Sequence, residues 1–170
     1  EAGTLELEAP MTAYLPGRSL ELLEAGSDGS LQRRAPARAP TLHELLTHCS
    51  GFSYEFLNGT LLSAVQAGAV PSLFADPVGG LEAPLVFEPG SAWGYGIGID
   101  VAGQILEAVL GEGLDAILAK QLFEPLGMTQ TSFNPDETGM AKVHVGEGPA
   151  LQGLPPAPQH PSGGAGLFST

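Results

Sequence analysis

Apolar residues recur at helical spacing in two short stretches in the first half of the chain, and polar residues mark where the first of them begins. Thr41 and Glu44 form the capping-box pattern, a hydroxyl followed three residues later by a carboxylate, which predicts a helix over 42–48. Residues 60–66 show the same apolar spacing and predict a second helix. The positions expected to face inward in these two helices are Leu42, Leu45, Leu46, Leu61, Leu62 and Val65.

The longest amphipathic pattern lies further along the chain. Apolar residues recur at helical spacing over 101–109, Gly111 supplies an end signal, and the pattern resumes over 114–122. The short link between the two stretches predicts an αα-hairpin, after which Pro125 forces a turn. The apolar stripe consists of Val101, Ile105, Leu106, Val109, Leu114, Ile117, Leu118 and Leu122.

The remaining segments show little periodicity. Residues 11–15 predict one helical turn, whereas 18–40 and 71–89 carry no sustained pattern. Residues 139–161 are rich in Gly, Pro and Ala, and a valine-flanked His144 is compatible with one short strand at most. The pattern therefore predicts mainly helices and loops with little sheet.

Charge narrows the range of partners. The chain has 170 residues, about one ordinary domain, and a net charge of -13, since six Lys and Arg stand against 19 Asp and Glu. Such a chain repels phosphate backbones and anionic lipid surfaces, so we expect neither nucleic-acid nor membrane binding. Half of the basic residues, Arg33, Arg34 and Arg38, fall in a Pro- and Ala-rich segment and are expected in a solvated loop.

The single cysteine, Cys49, cannot form an intramolecular disulfide, so the fold does not depend on an oxidising compartment. This leans towards the cytoplasm and leaves the compartment open. His48 precedes the cysteine directly, and adjacent side chains on a helix do not face each other. We therefore expect a buried thiol and no Cys-His catalytic pair.

Two histidines in the first predicted helix suggest a zinc motif at first sight. His43 and His48 are five residues apart, whereas the His-Glu-x-x-His motif places them four apart. At about 100° per residue, the extra step turns the second imidazole away from the first. We therefore expect no metal site, but an exposed His43 and a partly buried His48 near the helix end.

A glycine-rich run over 94–98 surrounds Tyr95. A dinucleotide-binding loop needs a third glycine where Val101 stands, and a Gly-x-Ser-x-Gly nucleophile elbow is absent from the sequence. What remains is a phenol in a loop just before a helix, where it can be exposed and oriented for proton transfer. On the local pattern alone, however, a tyrosine beside Trp93 in a loop is more often a packing residue than a base.

Several short blocks together resemble the serine β-lactamase-like, penicillin-recognising family, most of all class C β-lactamases and family VIII carboxylesterases. The blocks are Thr-Leu-x-x-Leu-Leu-Thr-His-Cys-Ser-Gly at 41–51, Phe-x-Pro-Gly-Ser-x-Trp-x-Tyr at 87–95, Asp-Val-x-Gly-x-Ile-x-Glu at 100–107, Phe-x-Pro-Leu-Gly-Met-x-x-Thr-x-Phe at 123–133, and Gly-Gly-x-Gly-Leu-x-Ser-Thr at 163–170. Because the blocks occur in order over most of the chain, their combination is far more specific than any one of them.

The resemblance implies an α+β parent of the β-lactamase/transpeptidase-like fold, of which this chain is mostly the helical lobe. It implies acyl-enzyme chemistry, in which a serine of a Ser-x-x-Lys motif attacks an ester or amide, and the lysine and a loop tyrosine transfer the proton. Tyr95 matches that tyrosine and is the catalytic candidate, as general base or acid. A free phenol has a pKa of about 10, so this service needs a neighbouring ammonium, and neither Lys120 nor Lys142 is expected to provide it.

The chain departs from the family pattern at three points. Ser-x-x-Lys is absent, and its nearest echo ends in Arg33, which cannot act as a base. The C-terminal strand motif with a Lys or His is also absent. Ile97 stands where β-lactamases commonly carry an asparagine that holds the substrate amide, which favours an esterase-like parent.

Residues 1–170 are therefore expected to be a partial β-lactamase-like domain without the nucleophile motif and the C-terminal sheet, inactive as this chain alone. Glu1 in place of a methionine and the loop-like 162–167 near the other end add to the expectation of a fragment. The expected substrate is a small-molecule ester, amide or β-lactam-like compound, with no cofactor or metal. A non-catalytic binding paralogue and a D-amino-acid peptidase remain alternatives, and the oligomeric state stays open.

Overall fold

The computed structural model describes residues 4–134 and 160–169, so the valine-flanked His144 lies outside the described residues. The strands are β1 (Leu22–Ala25) and β2 (Leu31–Arg34), and the helices are α1 (Leu42–Leu46), α2 (Gly59–Gln66), α3 (Pro77–Gly80), α4 (Gly98–Leu110) and α5 (Leu114–Leu118). A 3-10 turn (Met11–Ala13) precedes them, and a π-helical turn (Ala119–Phe123) follows α5. Within the described residues the one sheet is two-stranded, which confirms the prediction of mainly helices with little sheet.

The β-hairpin is the element that periodicity missed. Strands β1 and β2 pair antiparallel, with Leu22 opposite Arg34, in a segment expected to be loop. Leu22 and Leu23 are both buried although they point to opposite faces, so the strand shows no alternation between apolar and polar residues. Arg33 and Arg34 lie on β2 and not in a solvated loop, because their backbone pairs with β1. Their exposed guanidinium groups form ion pairs with Glu21 and Glu24.

The capping box at the start of α1 is confirmed. The Glu44 amide donates to the Thr41 hydroxyl at 3.2 Å, and the Thr41 amide donates to a Glu44 carboxylate oxygen at 2.9 Å. The helix ends at Leu46, earlier than predicted, and His48 has a φ of 58° that no helix continues. Leu46 is exposed, not inward as expected.

Helix α4 is the central element, and its predicted hairpin with α5 is confirmed. Val101 and Ile105 are fully buried, and α4 packs against α1. A side-chain Cβ at Gly98 would lie 2.5 Å from the backbone oxygen of Leu45, so the close crossing of these helices needs a glycine there.

The core has two parts that β1 joins, because Leu22 faces one and Leu23 the other. The main cluster consists of Met11, Leu22, Leu42, Leu45, Phe52, Leu81, Leu85, Ile97, Val101, Ala102 and Ile105. The smaller cluster consists of Leu23, Leu61, Ala64 and Val70. Leu62 and Leu122, both predicted to face inward, are exposed, since the apolar contacts of their helices are made on other faces. None of the helices that the structure describes is both long and apolar enough to cross a membrane.

Candidate active site

The loop that carries Tyr95 lies directly against backbone on its inner side. A Cβ at Gly96 would lie 2.5 Å from the Phe52 carbonyl oxygen. A side chain at this position would therefore displace the backbone of the neighbouring segment. The Gly94 amide donates to the His48 carbonyl at 2.9 Å, and the Ser53 hydroxyl donates to the Tyr95 carbonyl at 3.4 Å. The loop is therefore fixed by contacts that leave the Tyr95 ring free to face outward.

The side chains of Tyr95 and Ile97 differ in burial, although only one residue lies between them in the loop. Tyr95 is 45% exposed, and its ring lies at the wall of a cleft. Ile97 is buried in the main core at the start of α4. In this chain the side chain two places after the tyrosine thus packs inside the protein and is not among the residues that line the cleft.

The cleft is open to solvent and has a volume of about 750 Å³. Its walls are mostly apolar, with rings from Tyr54, Phe56, Phe74 and Tyr95. The described lining residues include no Lys or Arg, so this part of the chain does not place an ammonium beside Tyr95. Lys120 is paired with Glu112 at 3.5 Å and is not among the lining residues, and Lys142 lies outside the described residues.

A second tyrosine stands next to Tyr95. The ring of Tyr54 lies 5.3 Å from that of Tyr95, measured between centroids. Burial raises the pKa of Tyr54 to about 12, and the charge of Asp100, the neighbouring Tyr95 and a hydrogen bond to Asp100 act in the same direction. Tyr54 is thus a neutral phenol near neutral pH and can donate a hydrogen bond at the cleft wall.

Asp100 is a buried carboxylate in the first turn of α4, where the helix dipole favours negative charge. It accepts a hydrogen bond from the Ser162 hydroxyl and another from the Gly164 amide at 3.1 Å. Through these contacts Asp100 ties the segment 160–169 to the cleft wall beside Tyr54. The residue types alone did not point to Asp100 or Tyr54; an acidic residue in a first turn indicates a helix start and no more.

His48 contacts the Tyr95 ring. Its ring is 4.7 Å from the Tyr95 ring and 6.3 Å from that of Trp93, and within the described part of the chain its buried Nδ1 has no hydrogen-bond partner. The half-buried His48 and the exposed His43 are as predicted. Cys49 is half-buried, not buried as expected, and its thiol donates to the Thr47 carbonyl at 3.6 Å.

No cluster of three or more His, Cys, Asp or Glu side chains in residues 4–134 and 160–169 is placed to hold a metal ion. The described cleft offers the phenols of Tyr54 and Tyr95 and the buried carboxylate of Asp100. The half-buried His48 imidazole does not line the cleft but contacts the Tyr95 ring. Phenol and carboxyl groups are side chains that can transfer protons.

Comparison with known proteins places the chain among enzymes of one fold. The family model described as Beta-lactamase matches residues 1–170. Lovastatin esterase of Penicillium rubens is 35% identical over 142 residues, which cover 79% of this chain and 35% of the relative. Monacolin J acid methylbutanoyltransferase of Aspergillus terreus is 35% identical over 138 residues, which cover 78% of this chain and 33% of the relative.

A solved structure gives the same picture. Unliganded simvastatin synthase (LovD) from Aspergillus terreus superposes with a TM-score of 0.83 at 27% identity, covering 98% of this chain and 45% of that one. Of the lovastatin esterase and the methylbutanoyltransferase, the matched part of the chain spans only about a third of the length.

Proposed function

The chain belongs to the beta-lactamase family, as its sequence blocks indicated, and from that premise we propose that it is the helical lobe of a serine hydrolase in which Tyr95 transfers a proton during cleavage of an ester. The observation that carries the proposal is the position of Tyr95, whose half-exposed ring stands at the wall of an open cleft on a loop fixed by backbone contacts. A rigid support for an exposed phenol is what a proton-transfer group needs.

The reaction we propose is acyl transfer through a serine ester. The serine oxygen bonds to the ester carbonyl carbon while the Tyr95 oxygen takes the serine proton, and the same proton passes to the departing alcohol when its bond to the acyl carbon breaks. Water then repeats the sequence and releases the acid. Tyr95 must enter as a phenolate, and since the described cleft has no Lys or Arg, the stabilising cation comes from elsewhere in the whole protein.

We propose that residues 1–170 are part of a larger β-lactamase-like domain. The sequence contains no Ser-x-x-Lys, and the curated relatives are about three times as long as the matched region. The 170-residue chain alone is therefore expected to be inactive.

Transfer of the acyl group to an alcohol is the second candidate outcome. It is favoured by the 35% identity to a methylbutanoyltransferase, an enzyme whose name denotes acyl transfer to another molecule. The two outcomes share every step up to the acyl-enzyme and differ in whether water or an alcohol accepts the acyl group.

A matched pair of tyrosine variants tests the role of Tyr95. Tyr14 offers the control, because its hydroxyl accepts from the Glu6 amide at 2.8 Å and lies outside the cleft lining. In the whole protein encoded by the gene, we expect Tyr95→Phe to lower kcat on an activated ester by about 10²- to 10⁴-fold and Tyr14→Phe to leave it unchanged. Equal activity of Tyr95→Phe and wild type would overturn the assignment.

The isolated chain tests the partial-domain proposal separately. We expect no burst of acyl-enzyme when the 170-residue chain is mixed with an activated ester. A burst that disappears in Tyr95→Phe would mean that the nucleophile lies within these residues. Product analysis with and without an added alcohol then distinguishes hydrolysis from transfer.

A further inference from the structure

Four rings form a continuous row along the cleft, here called the aromatic ladder: Tyr95, Tyr54, Phe56 and Phe74. Successive ring centroids are 5.3, 5.1 and 5.8 Å apart, and Tyr54 and Phe56 are stacked with 12° between their planes. Tyr54 is half-buried, whereas Tyr95, Phe56 and Phe74 are 45%, 57% and 71% exposed. The ladder therefore runs from the proposed reacting group to the most exposed of the four rings.

A part-buried contact joins the two segments that carry the outer rings of the ladder. Glu55, between Tyr54 and Phe56 in the sequence, accepts a hydrogen bond from the Ser72 hydroxyl at 2.7 Å and one from the Leu73 amide at 3.0 Å. Phe74 follows Leu73 directly, so the carboxylate between Tyr54 and Phe56 in the sequence also anchors the backbone next to the fourth ring. Exposed phenylalanines cost free energy in water, and an apolar patch held open in this way indicates a ligand site.

The acidic groups around the cleft are already engaged within the protein. Asp100 is bound by Ser162 and Gly164, and Asp76 accepts from the Gly79 amide at 2.9 Å as the cap of α3. Neither carboxylate is free to bind a cationic ligand with its full hydrogen-bonding capacity.

An anionic ligand finds no counter-charge in the described lining. The single nitrogen base there, His160, pairs with Glu107 at 3.0 Å, and no Lys or Arg lines the cleft in residues 4–134 and 160–169. With a net charge of -13, the chain as a whole opposes a negative ligand too. Charge and ring geometry together favour a neutral, flat ligand.

We propose, resting on the proposed function for the position of the reacting carbonyl, that the cleft binds neutral esters of flat aromatic groups, with the aryl ring on the aromatic ladder and the carbonyl towards Tyr95. Offset or tilted rings at these spacings attract one another beyond simple burial. Phe56 and Phe74 then determine specificity, whereas Tyr95 takes part in the reaction.

The test measures binding to the 170-residue chain without any reaction. The probes are 2-acetylnaphthalene, which has a carbonyl but no leaving group, its saturated counterpart 2-acetyldecalin, and the anion 2-naphthoate. NMR titration of chain labelled at the Phe and Tyr rings gives each Kd and the rings that respond. We expect shifts at Phe56, Phe74 and Tyr95, binding of the decalin about fivefold weaker, and binding of naphthoate about tenfold weaker or more.

Two neighbouring residues supply a matched control, since Phe56 is 57% and Leu57 is 56% exposed, and Leu57 is not part of the lining. Phe56→Ala is expected to weaken the naphthyl ketone about fivefold and Leu57→Ala to leave its Kd unchanged. Phe74→Leu is the second variant, and because Phe74 is 71% exposed, we expect this substitution to leave the fold intact. A Kd that does not separate the Phe variants from Leu57→Ala, equal binding of naphthoate, or shifts confined to other rings would overturn the aryl site.

The outcomes also separate this site from the proposed function. Ladder-dependent ketone binding together with full activity of Tyr95→Phe in the whole protein would refute the catalytic role and leave the aryl site standing. Loss of activity in Tyr95→Phe without ladder-dependent binding would refute the aryl site alone.

Discussion

The Tyr95 loop, residues 93–98, and the β-hairpin are attached to the same core by different physical means. The loop meets its neighbours backbone to backbone, with Gly96 against Phe52 and Gly98 against Leu45. The outer strand of the hairpin, β2, pairs with β1 through the backbone, and its side chains add exposed ion pairs, among them Arg34 with Glu88 at 2.5 Å. The loop contact depends on the size of side chains, whereas the side-chain contacts of β2 depend on charge.

This difference separates positioning from stabilisation. Close-packed backbone has no room to adjust, so a loop held in this way keeps its outward side chain in one place. Exposed ion pairs are screened by salt and water and hold two surfaces together weakly. We therefore expect size changes in the loop to matter more than charge changes in the hairpin.

The largest effect is expected from Gly96→Ala. The added Cβ would lie 2.5 Å from the Phe52 carbonyl oxygen and also 2.5 Å from the Ser53 Cα, which is backbone that cannot rotate away. We expect the free energy of unfolding to fall by about 1–3 kcal/mol in urea titrations. Gly59→Ala is the control, because nothing lies within 4 Å of its Cβ, and it should change stability by less than about 0.5 kcal/mol. Similar losses in the two variants would show that the loop is not size-limited.

An intermediate loss of stability is expected from Glu44→Gln, because Glu44 caps α1 and also pairs with Arg38. Hydrogen bonds from Arg38 and from the Thr41 amide hold the pKa of Glu44 below its usual value. A lowered pKa means that the carboxylate stabilises the fold above the pKa of the unfolded state, and that this contribution is lost as pH falls through the folded value. Glu44→Gln keeps the capping-box acceptor but loses the charge, so we expect a loss of about 0.5–1 kcal/mol at pH 7.

The pH series decides whether charge is the cause. The difference between wild type and Glu44→Gln should start to shrink as the pH falls below the ordinary glutamate pKa of about 4.3, and it should vanish once the Glu44 carboxyl is protonated in the folded state too. Glu112→Gln, which removes an exposed partner of Lys120 at 3.5 Å, is expected to change little at any pH. A difference that persists undiminished in acid would assign the loss to the shape of the amide.

Local signals in the sequence were sufficient for α1 and α4. The Thr41–Glu44 capping box and the apolar spacing from Val101 to Val109 involve residues only three or four apart. Both signals can therefore be recognised in the sequence without knowledge of the tertiary structure. The predicted end of α1 was less accurate. The helix ends at Leu46, since the backbone at His48 is left-handed and turns away from the helical path. The β-hairpin was not predicted, because neither strand has a sequence pattern that indicates the pairing of Leu22 with Arg34.

The surroundings of Tyr95 could not be predicted for the same reason. Ordered sequence blocks pointed to Tyr95, but Ser162 and Asp100 are 62 residues apart and meet only when the chain returns to the start of α4. Tyr54 lies in no periodic stretch, and its unusual pKa comes from burial and from Asp100. Such properties belong to tertiary contacts, which residue spacing does not encode.

The smallest effect is expected from Arg34→Gln, although this arginine makes more ion pairs than the other described basic residues. Its guanidinium contacts Glu24 at 2.8 Å and Glu88 at 2.5 Å, but it is nearly half exposed, so ordering three long side chains offsets much of the attraction. We expect Tm to fall by less than about 2 °C near physiological salt and the difference to shrink further at 1 M salt. A larger fall in Tm than Gly96→Ala causes would reverse the comparison, since charge at the hairpin would then outweigh size at the loop. A loss that survives high salt would instead assign the effect to packing of the Arg34 stem against the sheet.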